Sequence, residues 1–205
     1  MIFYLEHYLF LLASYLICSI PFGLVIGKIV KNIDIRKDGS GNIGATNVAR
    51  LIGKKWGFIT FILDGFKGGI MVILAKKFEI SYYHHYFLAL VVLCCVIGHI
   101  FPIYLKFKGG KGVATTMICL IFYSQIIGVC AVIIWITTFI LTKTSSLASL
   151  TSIFFATAIA LTHTNQASAI LMIILCLLIF IRHKDNIINI AKGKEKKFNK
   201  NDKKR

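Results

Sequence analysis

Residues Val113–Leu141 read VATTMICLIFYSQIIGVCAVIIWITTFIL, a run without a single charged side chain. A helix needs about 20 apolar residues to cross the hydrocarbon core of a bilayer, so this run is too long for one untilted span. The polar residues Ser124 and Gln125 interrupt it a few residues before Gly128. We therefore predict two short helices with a break near these residues.

The rest of the chain contains four further apolar runs. Tyr8–Val30, Gly57–Ala75 and His84–Leu105 each have about the length of one span. Leu147–Ile181 is longer again, and the polar stretch His163–Asn165 interrupts it. The sequence therefore predicts an all-α, polytopic membrane protein with seven transmembrane helices. Five helices are the alternative, if each of the two longest runs forms a single span.

The composition excludes an ordinary soluble protein. Of the 205 residues, 57% are apolar and only 16% are charged, and the mean hydropathy is +0.78. The net charge of +16 would suit nucleic acid, but proteins that bind nucleic acid carry such charge on polar domains. We therefore expect the lipid bilayer as a partner and no nucleic acid.

The basic residues are distributed unevenly between the two sides of the predicted helices. If the N-terminus lies outside, nearly all of the 24 Lys and Arg residues fall on the cytoplasmic side, and Lys76 and Lys77 fall outside. This asymmetry follows the positive-inside rule and predicts a cytoplasmic C-terminus. Lys143 lies inside with seven helices and outside with five. We expect one integral membrane domain over residues 1–198 and a basic cytoplasmic tail over residues 199–205.

The first cytoplasmic loop has the composition of an anion site. It reads SGNIGATNVAR over Ser40–Arg50 and combines glycines, hydroxyls and amides with a closing arginine. Glycines let successive N–H groups converge on an anion, and a guanidinium can bind two phosphate oxygens at once. The alternative is a flexible connecting loop, which rarely combines so many hydrogen-bond donors with an arginine.

The second cytoplasmic loop places glycines and lysines at the start of a predicted helix. Within Gly98–Thr115 the central residues are Lys108-Gly109-Gly110-Lys111-Gly112. We expect backbone N–H groups and the positive helix end to face the same place as Lys111. The motif is not a Walker A loop, so no nucleotide is required. The alternative is a basic turn beside the membrane.

Three further features concern individual polar residues. His183 and Asn186 follow the last apolar run one helical turn apart and can face one site. His99 is expected to orient the second loop. Asp64 and Lys67 lie at membrane depth, where charge is expensive, and their spacing of three residues allows them to pair.

Several motifs are missing from the sequence. No histidine is followed by aspartate after four intervening residues, which excludes the His-Asp motif of thioester-dependent glycerolipid acyltransferases. The chain has no cluster of metal ligands and no Gly-x-Ser-x-Gly motif. We expect neither a metal nor a cofactor, and two anion-binding loops remain.

These loops resemble the motifs of the bacterial acyl-phosphate:glycerol-3-phosphate acyltransferases. The third motif of that family resembles the segment with His183, Asn186, Gly193 and Glu195, and the resemblance covers nearly the whole chain. It implies an enzyme that transfers a fatty acyl group from acyl phosphate to the 1-hydroxyl of sn-glycerol 3-phosphate. The products are 1-acyl-sn-glycerol 3-phosphate and phosphate, in the first step of phosphatidic acid synthesis. The resemblance also implies a multi-pass protein of the bacterial inner membrane, with a cytoplasmic active site and a soluble enzyme that supplies the acyl phosphate.

The resemblance assigns roles to individual residues. It implies catalytic roles for Ser40, Arg50, Lys111, His183 and Asn186. It implies substrate-binding or loop-framework roles for Gly41, Asn42, Gly44, Ala45, Thr46, Asn47, Lys108, Gly109, Gly110 and Gly112. Two positions depart from the family pattern, since Ile43 replaces a common proline and Asn189 replaces a basic residue.

Two questions stay open at this point. The general base is either His183 or the phosphate of the substrate, with the substrate favoured, and Ser40 as a covalent nucleophile is the less favoured alternative to direct transfer. The rival function is a transporter of a phosphorylated metabolite. A transporter would place its polar site near the bilayer midplane, whereas these motifs cluster at one membrane face.

Overall fold

The computed structural model describes residues 4–78 and 84–198, and within these ranges it contains helices and no strand. The helices are α1 (Leu5–Cys18), α2 (Phe22–Lys31), α3 (Ala45–Leu51), α4 (Lys54–Phe78), α5 (His84–Ile100), α6 (Val113–Tyr123), α7 (Gln125–Thr142), α8 (Ser145–His163), α9 (Gln166–Arg182) and α10 (Lys184–Ala191), with a 3₁₀ turn at Ile103–Leu105 between α5 and α6. The prediction of an all-α membrane protein is confirmed.

Both predicted breaks are present. Ser124 has extended backbone and separates α6 from α7. Thr164 and Asn165 separate α8 from α9, and the Asn165 side chain accepts a hydrogen bond from Ser168 N at 3.0 Å, which caps α9. A third break, between α1 and α2 at Pro21, is not predicted by the sequence pattern, because the apolar run continues through it. Proline has no N–H to continue a helix.

Five helical segments of the described chain are long and apolar enough to cross a membrane, and α1 with α2 counts as one of them. The bent pair α9 and α10, which meet at 64°, would be a sixth, and α6 is apolar but short. A count of five to six long spans supports a polytopic protein. The count of seven crossings and the outside position of the N-terminus stay predictions.

Close packing between α4 and α6 depends on three glycines. A methyl group on Gly65 would lie 2.4 Å from Ile118 Cγ1, and one on Gly68 would lie 2.5 Å from Cys119 Sγ. Gly69 also faces Ile118, at 2.8 Å from Cγ2 to the position of such a methyl group. Small residues four apart let membrane helices approach each other closely. The Gly-Gly pair after Lys67 is therefore a packing surface.

The outer surface of α7 is apolar. Ile126, Ile133, Ile136 and Ile140 are all exposed and follow one another at helical spacing. Soluble monomers rarely expose so continuous an apolar stripe, whereas a helix that contacts lipid requires it. The stripe supports a membrane environment for the bundle.

Segments far apart in sequence meet at one end of the bundle. Phe198 N donates to Lys143 O at 2.7 Å, and Lys196 Nζ donates to Gly39 O at 2.8 Å. Lys143 therefore lies beside the C-terminal segment, at the same end of the bundle. The predicted basic tail, residues 199–205, lies outside the described residues.

Candidate active site

The Asn47 side chain organises the first loop. Its Oδ1 accepts a hydrogen bond from Ser40 N at 2.9 Å, and its Nδ2 donates to Ile35 O at 2.9 Å, to Asn42 O at 2.9 Å and to Asp38 O at 3.3 Å. The residue is buried at 1% exposure. Because the amide bonds to the loop backbone, Asn47 gives the loop its shape.

Ile43 anchors the same loop to the protein. Its side chain is buried in a small apolar core with Ile26, Ile35 and Val48. A methyl group on Gly23 of α2 would lie within van der Waals overlap of the Ile43 carbonyl oxygen, at 1.9 Å. The loop backbone therefore packs directly on α2, and the apolar side chain of Ile43 holds it there.

The other predicted residues of the first loop differ in exposure. Ser40 is exposed, whereas Thr46 and Arg50 on α3 are partly buried. Thr46 Oγ1 lies 3.1 Å from Ser145 Oγ at the start of α8. This contact joins the first loop to a helix about a hundred residues later in the chain.

The second loop folds back on the end of α5. Gly109 N donates to Ile100 O and Gly110 N donates to His99 O, both at 3.1 Å. Arg182 at the end of α9 donates from Nη2 to Gly109 O at 3.0 Å and from Nε to Gly110 O at 3.2 Å. The structure thus differs from the expectation that these N–H groups face an anion, because the carbonyls that end α5 accept them.

Two positions in this loop require glycine. A methyl group on Gly110 would lie 2.1 Å from His99 Nε2, so a side chain has no space there. Gly112 has φ of +83°, a left-handed conformation that favours glycine, and it precedes Val113, the first residue of α6. Between them, Lys111 extends its side chain toward the α9–α10 junction.

Lys111 begins a polar network that joins four segments: the second loop, α10, the segment with Glu195, and α8. Lys111 Nζ donates to Asn186 Oδ1 at 2.5 Å, and Asn186 Nδ2 donates to Glu195 Oε1 at 2.6 Å. Ser146 Oγ on α8 donates to the same Glu195 oxygen at 2.6 Å. The predicted residues Lys111 and Asn186 therefore lie in direct contact.

Charges of both signs surround Lys111. Burial lowers the pKa of the Lys111 ammonium, and the nearby charges of Arg182 and Arg50 lower it further. The carboxylates of Glu195 and Asp185 act in the opposite direction. Lys111 and Arg50 thus come from separate segments of the chain, and their charges influence each other.

His183 lies at the junction of α9 and α10 and is 2% exposed. Its Nδ1 lies 2.8 Å from Ile179 O, so this nitrogen carries the ring proton and donates it. Burial lowers the pKa of the imidazole to about 4, and the charges of Lys111 and Arg182 contribute. His183 is therefore neutral at physiological pH.

A second polar cluster is buried beneath the second loop. Lys67 Nζ donates to Asp64 Oδ1 and to Ile20 O, both at 2.7 Å, and lies 3.1 Å from His99 Nδ1. Thr115 Oγ1 donates to Asp64 O at 2.7 Å. The predicted pairing of Asp64 with Lys67 is confirmed, and His99 joins them. The ammonium also satisfies the carbonyl that the break at Pro21 leaves free.

Four polar residues that had no role assigned from the sequence complete this end of the bundle. Ser145 and Ser146 begin α8. Two adjacent hydroxyl residues just before a predicted apolar helix were the sequence feature that could have indicated them. Arg182 was counted only for its charge, although it directly precedes His183. Glu195 was part of the third motif without a role. Among the predicted residues, Lys108 is exposed, and within the described part of the chain its side chain does not hydrogen-bond to the network around Lys111.

The side chains at this site are not arranged as metal ligands. In the ranges that the structure describes, no group of three or more His, Cys, Asp or Glu side chains is arranged to hold a metal ion. With Lys111 itself, the charged side chains at this site are three cations, including Arg182 and Arg50, against the two carboxylates of Glu195 and Asp185. This arrangement suits an anionic ligand.

Known proteins are similar to this chain in sequence and in fold. The glycerol-3-phosphate acyltransferase family model matches residues 8–193. A glycerol-3-phosphate acyltransferase of Wolbachia pipientis wMel is 44% identical over 95% of this chain and 99% of its own length. One of Thermotoga petrophila is 38% identical over 94% and 96% of the two chains.

Two solved structures are similar over the same extent. They are crystal structures of PlsY, an integral membrane glycerol 3-phosphate acyltransferase, in a glycerol 3-phosphate form and a lysophosphatidic acid form. Their TM-scores are 0.88 and 0.85, with 34% identity over 95% of this chain and 96% of PlsY. From the family match over most of its length, the chain belongs to the glycerol-3-phosphate acyltransferase family.

Proposed function

We propose that this protein transfers a fatty acyl group from acyl phosphate to the 1-hydroxyl of sn-glycerol 3-phosphate. The products are 1-acyl-sn-glycerol 3-phosphate and inorganic phosphate. The family match and the forms in which PlsY was crystallised support the acceptor and the product. Acyl phosphate as the donor rests on the resemblance of the three loop motifs.

One observation carries the proposal. Lys111 lies where the second loop, α10 and the segment with Glu195 meet, and Arg50 of the first loop is close enough to lower its pKa. Both substrates carry a phosphate, and two cations from separate loops can each bind one phosphate or share one. The geometry therefore supports a reaction between two phosphorylated molecules.

The reaction proceeds by direct attack. The 1-hydroxyl oxygen forms a bond to the acyl carbonyl carbon, and the bond from that carbon to the phosphate oxygen breaks with its electron pair on the phosphate. Acyl phosphate is an activated anhydride, so no covalent acyl-enzyme is needed. Lys111 and Arg50 stabilise the charge that develops on the departing phosphate, and Ser40 and Thr46 supply hydroxyl donors.

The phosphate of a substrate accepts the hydroxyl proton. The second ionisation of a phosphate monoester lies near a pKa of about 6, so the dianion is a suitable base at neutral pH. His183 is a weak base because its pKa is lowered to about 4. Its role is to orient substrate together with Asn186.

The remaining assignments concern location and supply. The protein is a multi-pass membrane protein, and we infer that the end with Lys111 faces the cytoplasm of a bacterial inner membrane. Most cytoplasmic Lys and Arg residues of the seven-helix topology fall there. A separate soluble enzyme that makes acyl phosphate supplies the donor substrate.

Purified protein with acyl phosphate and glycerol 3-phosphate tests the proposal. We expect equal amounts of lysophosphatidate and inorganic phosphate, and a large fall in the rate of formation of both in a Lys111→Gln variant. Incubation with acyl phosphate alone should leave Ser40 unmodified, since a trapped acyl-Ser40 would disprove direct transfer. Saturable flux of glycerol 3-phosphate across vesicles without turnover would support a transporter instead.

A further inference from the structure

Arg182 holds two consecutive carbonyl groups of the second loop. Its Nη2 donates to Gly109 O at 3.0 Å and its Nε donates to Gly110 O at 3.2 Å. Its guanidinium carbon also lies 5.7 Å from the centre of the Phe101 ring, a cation–π distance. The side chain is therefore fixed by three contacts on the loop and on the residue that follows α5.

The same two glycines are held from the opposite direction by α5. Gly109 N and Gly110 N donate to Ile100 O and His99 O. Together with Arg182, these bonds occupy all four backbone polar groups of Gly109 and Gly110. A glycine pair is intrinsically free to rotate, so these contacts remove the freedom that the sequence would otherwise allow just before Lys111.

The positive charge of Arg182 lies close to other cationic or ionisable groups and is unfavourable for their protonated forms. Its charge lowers the pKa of both Lys111 and His183, so a neutral residue would leave these neighbours less perturbed. Lys184, two residues later, supplies basic charge at the same helix end with an exposed side chain. Membrane topology therefore does not require an arginine at position 182.

We propose that Arg182 is a positioning residue for acyl transfer, which acts by fixing the Gly109–Gly110 backbone and thereby the place of the Lys111 ammonium. This inference rests on the proposed function. By fixing the loop, Arg182 aligns Lys111 with Asn186. Asn186 lies on α10, which follows Arg182 in the chain. A lysine cannot do the same, because an ammonium is a point charge without the planar fork that reaches two carbonyls.

Kinetics of Arg182→Gln and Arg182→Lys test the inference, with Lys184→Gln as the matched control. We expect kcat to fall at least tenfold in Arg182→Gln and to recover only partly in Arg182→Lys. The KM for glycerol 3-phosphate should change less than threefold. Lys184→Gln removes the same charge two residues away and should keep wild-type kinetics. Near-complete recovery by lysine would show that charge alone matters, and would overturn the inference.

A double-mutant cycle separates action through Lys111 from direct action on substrate. In single-turnover assays, Arg182→Gln should lower the rate by less than twofold when Lys111→Gln is already present, because the shared route is lost. Equal fold-losses in both backgrounds would mean that Arg182 acts independently of Lys111.

A measurement without substrate keeps the inference testable if turnover fails. Lysines of the folded protein in detergent can be labelled by reductive ¹³C-methylation, and Lys111→Arg identifies the Lys111 signal. We expect that signal to move in Arg182→Lys, which keeps the positive charge at position 182, and to stay in Lys184→Gln. An unmoved signal would refute the inference even in an active enzyme. A moved signal without turnover would refute only the proposed function.

Discussion

Lys67 donates a 2.7 Å hydrogen bond to Asp64 Oδ1 one helical turn away, and both side chains are buried inside the bundle. An unpaired charge at this depth would have a large desolvation free energy, and each side chain reduces that cost for the other by pairing with it. His99 accepts from the same ammonium and lies against Gly110. A buried ion pair is thus joined to the loop that carries Lys111.

Replacement of one partner of this pair should be more damaging than replacement of both. Lys67→Met leaves a buried carboxylate, and we expect a loss of about 3–5 kcal/mol in unfolding free energy. Asp64→Asn with Lys67→Met removes both charges and should lose less. Thermal unfolding in detergent measures the difference, with exposed Lys76→Met on the same helix as control. A double variant less stable than Lys67→Met would contradict this expectation.

Gly110→Ala should inactivate the enzyme by displacing the second loop. The added methyl group would lie 2.1 Å from His99 Nε2, so either the ring or the loop must move. We expect a fall in kcat of at least tenfold. Because removal of the ring makes space, Gly110→Ala with His99→Ala should turn over faster than Gly110→Ala alone. Equal rates would show that the contact with His99 is not the cause.

The pH dependence of kcat/KM should reflect the protonation of the substrate phosphate and not that of a protein side chain. Burial and nearby cations lower the pKa of His183 to about 4, so its protonation state does not change between pH 5.5 and 8 to any large extent. We expect kcat/KM to fall as the pH drops through about 6, where the phosphate dianion is protonated. The same limb should persist in His183→Gln at a lower rate. Its disappearance would assign the base to His183.

Asn47→Asp should disrupt the first loop more than Asn47→Ala. The Nδ2 group donates to three backbone carbonyls, and a carboxylate oxygen in its place would repel them. Alanine loses the bonds, at about 1 kcal/mol each, without adding repulsion. Limited proteolysis between α2 and α3 and turnover rates measure the effect. Asn189→Ala, at an exposed position, serves as the unaffected control.

Cysteine labelling should determine the topology. Lys143 and Lys108 have exposed side chains near the same end of the bundle, and Lys76 is exposed on α4. In intact cells, an impermeant maleimide should label Lys76→Cys at once, and label Lys143→Cys and Lys108→Cys only after permeabilisation. The parent chain gives the background from native cysteines. Labelling of Lys143→Cys in intact cells would favour five helices.

The helical segments could be predicted because lipid imposes strong requirements on a sequence. The breaks at Ser124 and at Thr164–Asn165 interrupt apolar runs that exceed one span, so length and polarity indicate them. Pro21 was missed because α1 and α2 together have the length of one span. Lys67 supplies the donor for the free carbonyl of Ile20 from a different helix, and no local pattern reports that contact.

The site could be predicted as a set of segments, and its internal contacts could not. Hydroxyls, glycines and cations in the loops indicated anion binding, and this inference did not depend on how the helices pack. The bonds from Arg182 to Gly109 and Gly110 join residues more than seventy positions apart, which depends on how α5 packs on α9. Composition likewise indicated that Asn47 is a donor, but only the fold shows that the loop itself receives its hydrogen bonds.

The segment with Asn186 and Glu195 lies near the end of the chain, yet Lys111 and Ser146 bond to it. During synthesis, the helices that carry those partners enter the bilayer before the segment has left the ribosome. A nascent chain arrested after α8 thus has both loops but an incomplete Lys111 network. Activity should emerge only when the segment with Asn186 and Glu195 has been made, so shorter nascent chains would not consume the reactive acyl donor.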